Sequence, residues 1–237
     1  MTFVVSDIHG CYDEYKKLLE RIHFRADDTL YVLGDVIDRG SDGFKILLDM
    51  AGRANIITLM GNHEAMAIAA LSYLSNTLQE GKTVLDEENK EAAEIWFCNG
   101  GEVSFFDFLS LDKDQMQIVW NYMQKLPLYK EISLGGKQFI LVHGGLDNFS
   151  ADRPMEDYTP DEILWCHTKP DTVYFQDKLL ICGHTPTPLL YAESGKSIDQ
   201  VQFFHGKTFI DIDCGCVFPK GCLGCLCLDT MEEIYIR

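Results

Sequence analysis

Short aliphatic runs along this chain stop abruptly at clusters rich in Gly, Asp, His and Asn. Phe3-Val4-Val5 stops at Ser6-Asp7-Ile8-His9-Gly10, Leu30-Tyr31-Val32-Leu33 at Gly34-Asp35, and Ile56-Ile57-Thr58-Leu59-Met60 at Gly61-Asn62-His63-Glu64. Phe139-Ile140-Leu141-Val142 stops at His143-Gly144-Gly145, and Leu179-Leu180-Ile181-Cys182 at Gly183-His184-Thr185. Continuous apolar runs of this length read as strands buried on both faces. Helical spacing fills the first gaps: Tyr12, Tyr15, Leu18, Leu19 and Ile22; Phe44, Leu47, Leu48 and Ala51; Met66, Ala69, Ala70 and Tyr73. Strands alternating with helices predict βαβ units. Residues 86–98 and 112–125, free of Gly and Pro, predict two more helices inside a helical insertion over about 65–127. Thr159-Pro160-Asp161-Glu162 predicts a capped helix start. Gly135-Gly136 makes 129–142 a hairpin, and strands and turns are expected from about Leu189. The expectation is one α/β domain over 1–237: two packed mixed β-sheets flanked by helices, with the insertion and the segment 146–175 overhanging one edge.

Composition narrows the setting. The chain has 237 residues, 46% hydrophobic and 24% charged, which is ordinary for a folded globular protein. No apolar run approaches the roughly 20 residues that cross a bilayer. A net charge of −17 argues against nucleic acid and against anionic lipid as partners. Nine cysteines, an odd number scattered through a long chain, fit a reducing compartment better than a disulfide framework. With no basic, apolar leader at Met1-Thr2-Phe3-Val4-Val5, the expected location is the cytoplasm.

The candidate chemistry lies where the strands end. Strands laid side by side bring such ends to the carboxyl edge of a sheet, where sites are built in open α/β folds. Asp7 and His9, two residues apart, would point to one side of extended backbone and hold one cation. Asp35 adds a carboxylate able to bridge two cations, and Asn62, His143 and His184 add a carbonyl oxygen and two imidazoles. An O/N donor set without thiolate suits divalent Mn, Fe, Zn or Mg, with Mn taken first. Six ligands with one bridging carboxylate suffice for two metals about 3.5–4 Å apart, a spacing that clamps the attacking and leaving oxygens of phosphoryl transfer. Arg39 can fork two phosphate oxygens. His63 can protonate the leaving alkoxide, with Asp38 fixing its tautomer and raising its pKa, while a metal-bound hydroxide is the expected nucleophile.

The motifs Asp7-Ile8-His9, Gly34-Asp35-Val36-Ile37-Asp38-Arg39-Gly40, Gly61-Asn62-His63-Glu64, His143-Gly144-Gly145 and Gly183-His184 resemble the metallophosphoesterase signatures. More narrowly, they resemble the bacterial and phage-type phosphoprotein phosphatases of the lambda phosphatase type. The resemblance implies a dimetal centre in a four-layer αββα sandwich. It implies that Asp7, His9 and Asp35 bind one metal and that Asp35, Asn62, His143 and His184 bind the other. It implies phosphate contact by Arg39 and pairing of Asp38 with His63. Symmetrical diadenosine tetraphosphatases look similar but usually lack the Asp before the Arg and carry Asp after Asn-His. Asp38 and Glu64 therefore favour hydrolysis of phosphoserine and phosphothreonine in proteins, with phosphotyrosine and small phosphoesters as further substrates. A nucleotide or diadenosine polyphosphate hydrolase is the alternative, and an inactive metal-binding scaffold a further one. One departure stands in Leu164-Trp165-Cys166-His167-Thr168-Lys169: His167 occupies the place expected for a second phosphate-binding Arg.

Other polar residues have plainer readings. Glu64 reads as a charge favoured by a helix N-terminus, Arg153 and Lys169 as solvated, His23 and His205 as structural or exposed. Asp211 and Asp213 read as a strand end, with hydrogen bonding behind the site as the other reading. Cys214, Cys216, Cys222, Cys225 and Cys227 read as buried thiols, with a zinc site as the alternative. Trp96, Phe97, Phe105, Phe106 and Phe108 read as helix packing, with a substrate groove as the alternative.

Overall fold

The computed structural model describes residues 1–80 and 87–237, with side chains outside 73–90. The elements follow as β1 (Thr2–Val5), α1 (Tyr12–Arg21), β2 (Thr29–Val32), α2 (Gly43–Ala51), β3 (Ile56–Thr58), α3 (Asn62–Glu80), α4 (Glu87–Cys98), α5 (Glu102–Ser110), α6 (Lys113–Met123), β4 (Tyr129–Leu134), β5 (Lys137–Val142), α7 (Pro160–Leu164), β6 (Lys178–Cys182), α8 (Thr187–Glu193), β7 (Phe204–His205), β8 (Phe209–Asp211), β9 (Leu223–Cys227) and β10 (Glu232–Ile236).

The strands form two five-stranded sheets, ordered β10-β9-β1-β2-β3 and β4-β5-β6-β8-β7. Both are mixed. β1, β2 and β3 run parallel, as do β5, β6 and β8, and antiparallel strands complete each sheet. Successive side chains of a strand face opposite ways, and that alternation sorts the apolar runs into layers. Phe3, Val5, Leu30 and Val32 pack with Tyr15 and Leu18 of α1 and Phe44 and Leu47 of α2. Val4, Tyr31 and Leu33 turn the other way and meet Phe139, Leu141, Ile181 and Ile210 of the second sheet. Ile140, Val142, Leu180 and Phe209 face Ile163 and Leu164 of α7 and Leu190 of α8. The result is helices, sheet, sheet, helices, as the patterning predicts. Each buried Val, Leu, Ile or Phe side chain contributes about 1.5–3 kcal/mol relative to exposure.

Local signals set several boundaries. Asp112 caps α6 and shares a reciprocal capping box with Gln115; Thr159 and Glu162 do the same for α7, with Pro160 at its first turn. Gly135 and Gly136 turn the β4–β5 hairpin with φ of 57° and 78°, which other residues adopt only at a cost.

The chain departs from expectation in places. Strands and turns are expected from about Leu189, but Thr187–Glu193 form α8, whose Pro188 stands in the first turn where its missing N–H costs nothing. α5 was not anticipated: its apolar residues surround the helix rather than striping one face, and Ser104 is its buried residue. The helix expected over 86–98 starts outside the described residues and is observed from Glu87.

Candidate functional site

The carboxyl ends of β1, β2, β5 and β6 meet at one edge, as do the turn after β3 and the start of α3. The connections beyond the strands stay paired. Asp7 N–H donates to Gly34 O (3.2 Å), His9 N–H to Asp35 O (2.9 Å), and Gly183 N–H to His143 O (2.7 Å).

The backbone there is not the extended one expected for Asp7 and His9. Asp7, His9, Asp35, Asp38, Arg39 and His184 all have positive φ, between 47° and 71°. Left-handed backbone costs a non-glycine residue roughly 1–2 kcal/mol. Its concentration at six predicted site residues marks where packing and hydrogen bonds hold the chain against its own preference. Close approach adds to the constraint: a Cβ on Gly61 would lie 2.2 Å from Asp35 Oδ1.

Hydrogen-bond partners assign the imidazole tautomers. Nδ1–H of His9 donates to Ile37 O, and Nδ1–H of His143 to Leu33 O, both at 2.8 Å. Nδ1–H of His63 donates to Asp38 Oδ2 at 2.6 Å. Each ring therefore presents an Nε2 lone pair, the orientation that suits a metal ligand. Arg39 donates one guanidinium nitrogen to His9 Nε2 and another, at 3.0 Å, to His63 Nε2. The Nε2 of His143 faces Asn62 Oδ1 at 2.8 Å. The Nε2 of His184 is buried without a partner.

Two groups of atoms converge to within 4.8 Å: His9, Asp35 and His63, and Asp35, His143 and His184. Asp35 belongs to both, as the sequence suggested for a bridging carboxylate. Membership differs from expectation in two respects: His63 stands in the first group, and Asp7 stands in neither. Asp7 Oδ2 instead takes the Ser6 hydroxyl and the His184 N–H (3.0 Å).

The electrostatics call for added positive charge. Asp35 is pushed well above the usual carboxylate range by burial and then by the Asp7 and Glu64 charges. Burial lowers His9 and His143, and takes His63 and His184 down to about 2, so the imidazoles are neutral. The expectation that Asp38 raises the pKa of His63 is not met: burial, then Arg39 and His143, lower it. Buried carboxylates crowded around neutral, inward-facing imidazole nitrogens, one without a partner, fit hard divalent cations.

Side chains behind this group do more than the sequence suggested. Glu64 stands in the first turn of α3, as read from the sequence, and is fully buried there. It accepts N–H groups from Asp35 (2.8 Å), Val36 (2.8 Å), Ile37 (3.3 Å) and Gly61 (3.1 Å). In return Asp35 Oδ1 accepts His63 N–H at the start of α3 (3.1 Å). The turn after β2 and the start of α3 thus brace each other. Ser104 accepts Asp38 N–H at 2.7 Å, and Trp96 Nε1–H donates to Asp38 Oδ2 at 2.8 Å. No sequence signal marked Ser104; Trp96 carried one only as a buried aromatic. Asp211, the last residue of β8 as the strand-end reading has it, and Asp213 are buried, and both also take part in hydrogen bonding, the other reading. Asp211 accepts from Thr168 Oγ1 and Asp213 N–H, both at 3.1 Å, and Asp213 accepts Gly215 N–H at 2.8 Å.

At the rim, Arg39 is exposed with Phe218 against its guanidinium, 5.6 Å from ring centroid. His167 is exposed, stacks on His184 with centroids 4.5 Å apart, and meets Thr185 Oγ1 through Nδ1 at 3.1 Å. Trp165 stands edge-on to His184. Arg153, read as solvated, pairs through both terminal nitrogens with Glu162 at 2.8 Å. His23, His205 and Lys169 are exposed. Cys214, Cys222, Cys225 and Cys227 are buried, and among the described residues the groups able to hold a metal include no cysteine. No helix of the described residues is long and apolar enough to cross a membrane.

Comparison with known proteins bears on this geometry. The family model described as calcineurin-like phosphoesterase matches residues 2–212. A symmetrical bis(5'-nucleosyl)-tetraphosphatase of Aggregatibacter actinomycetemcomitans is 42% identical over 147 residues, covering 61% of this chain and 44% of that protein. Serine/threonine-protein phosphatase 2 of Salmonella typhimurium is 29% identical over 167 residues, covering 69% of this chain and 66% of that protein. The match thus spans less than half the length of the tetraphosphatase. The solved structure of a protein provisionally assigned as a diadenosine tetraphosphatase superposes with a TM-score of 0.66 at 19% identity, covering 99% of this chain and 92% of that one.

Proposed function

The chain belongs to the calcineurin-like phosphoesterase family, and on that premise we propose that it is a dimetal hydrolase whose substrates are dinucleoside polyphosphates. Metal-dependent hydrolysis of phosphoester bonds, the metal number, the site roles and the substrate all belong to this proposal. The observation that carries it is the pair of ligand groups sharing Asp35.

His9, Asp35, His143 and His184 would hold the cations, with Asp7, Asn62 and His63 beside them. Manganese is the first candidate, with iron, zinc and magnesium as alternatives. Bound there, divalent cations supply Lewis acidity toward phosphate and lower the pKa of water. The protein's own groups do the rest. Arg39, exposed and carrying a planar fork of donors, binds two phosphate oxygens. Asp38 keeps His63 in the tautomer whose Nε2 lone pair faces the site, and that nitrogen would take up a proton from solvent and pass it to the leaving oxygen. His167, beside His184, adds one donor where a second Arg would add a fork.

Two features support the nucleotide class. Symmetrical tetraphosphatases recur among the relatives. Exposed Trp165 and Phe218, beside His184 and Arg39, are surfaces on which bases stack. A second reading, phosphoprotein phosphatase, is favoured by Asp38 at the position where dinucleotide enzymes usually lack Asp, and by the Salmonella relative. We also propose one catalytic domain over 1–237, with a helical insertion over about 65–127, in a reducing cytoplasm in keeping with the cysteine usage.

The test is kcat/KM on diadenosine tetraphosphate, a phosphoserine peptide and an aryl phosphate, with each of the four metals. Preference for the tetraphosphate by about tenfold, or 1.4 kcal/mol of transition-state binding, is expected. Preference for the peptide selects the second reading. Turnover of none of them rejects the hydrolase.

A further inference from the structure

We propose that Gly100, in the turn between α4 and α5, is a positioning residue for Arg39 and, through it, for phosphate; the inference rests on the hydrolase reading above. Asp38 and Arg39 are consecutive and both left-handed, with φ of 71° and 67°. Neither lies in a strand or a helix, so no regular ladder holds that backbone. Both of their N–H groups leave the loop and end on one segment. Asp38 N–H donates to Ser104 Oγ at 2.7 Å, and Arg39 N–H to Gly100 O at 3.1 Å. The turn that offers these acceptors is itself tied to α4. Gly100 N–H donates to Phe97 O and Gly101 N–H to Trp96 O, both at 3.0 Å.

Glycine is what permits this approach. Gly100 has φ of 97°, which residues with a side chain adopt only under strain. A Cβ there would lie 3.0 Å from Arg39 Cγ. The bare backbone of Gly100 thus meets Arg39 twice, at its N–H and along its stem. The far end of that side chain is set by its bonds to His9 Nε2 and His63 Nε2 and by the Phe218 ring. Its near end is set by Gly100. A guanidinium grips two phosphate oxygens only when its fork is aimed at both, and an error where the stem starts is carried to the fork. Trp96 acts on Asp38 and His63, whereas Gly100 acts on Arg39. The first bears on proton transfer and the second on phosphate affinity.

The experiment measures the dissociation constant of inorganic phosphate by calorimetry, on the full chain with Mn present. It compares wild type, Gly100→Ala, Arg39→Gln and the double variant. Gly135→Ala controls for backbone strain alone, since Gly135 also has positive φ, 57°, with nothing within 4 Å of an added Cβ. Gly100→Ala is expected to weaken phosphate about tenfold through misplacement of Arg39, and Gly135→Ala to match wild type. In the Arg39→Gln background Gly100→Ala should cost nothing further, because the two act as one unit. Wild-type affinity in Gly100→Ala, or a fully additive loss in the double variant, would overturn the proposal. Where Gly100→Ala fails to fold, Ser104→Ala removes the neighbouring acceptor and enters the same cycle with the same two outcomes. Absence of phosphate binding by the Mn-loaded wild type defeats the hydrolase reading and this inference with it. Binding by wild type that Gly100→Ala leaves unchanged defeats this inference alone.

Discussion

Trp96 Nε1–H donates to Asp38 Oδ2 at 2.8 Å, the same oxygen that takes Nδ1–H of His63 at 2.6 Å. A buried residue of α4 thereby holds the carboxylate that orients a site histidine. Both residues are fully buried, so neither bond competes with water. Burial alone raises Asp38, to about 7, and the Trp96 and Ser104 donors act against that rise. Trp96 is a positioning residue.

Replacing Trp96 by Phe removes the donor and keeps an aromatic ring. A hydrogen bond to a charged group is worth roughly 1.5–3 kcal/mol, and only part of it bears on the reaction. The expected outcome is a fall in kcat of about tenfold with little change in KM, measured on the best substrate of the panel. Unchanged kcat in a folded Trp96→Phe variant removes the orienting role.

Glu64→Gln tests the brace between the β2 turn and α3. Its carboxylate accepts four backbone N–H groups. An amide offers one oxygen and turns its NH2 toward backbone donors. The expected cost is about 2–4 kcal/mol, from unsatisfied buried N–H groups, read by urea denaturation, together with loss of bound metal through displaced Asp35. Wild-type stability would show that the brace is dispensable.

Much of this was legible in the sequence, for identifiable reasons. Apolar runs such as Phe139-Ile140-Leu141-Val142 alternate between two cores, so both faces must be apolar, and that pattern announces a buried strand. Polar residues after such runs have no core role, so Asp35, His143 and His184 stood out. Side chains supporting them did not. Trp96 and Ser104 reach Asp38 across 58 and 66 residues of chain, a pairing that local pattern does not carry. The left-handed backbone at Asp7 and His9 is imposed by pairing with Gly34 and Asp35 on another strand connection. Extended geometry therefore brings Asp7 and His9 to the same sheet edge as the structure does, with a different backbone.

Acid should weaken the cap of α7. Glu162 accepts from both terminal nitrogens of Arg153 and from Thr159, which lowers its pKa from 4.5 to about 2. A depressed carboxylate pKa contributes stability above the unfolded value and loses it as pH falls through the folded one. Glu162→Gln should therefore be less stable than wild type at pH 7, with the gap closing as pH falls from 4.5 toward 2. Denaturation midpoints of both proteins across that range check this; a gap independent of pH contradicts it.

The central claim is that Asp35 joins two cation positions, and anomalous diffraction from crystals grown with Mn tests it most directly. The account predicts two peaks about 3.5–4 Å apart, with the Asp35 carboxylate between them, His9 on one and the imidazoles of His143 and His184 on the other. A single peak, or none at saturating metal, would contradict it.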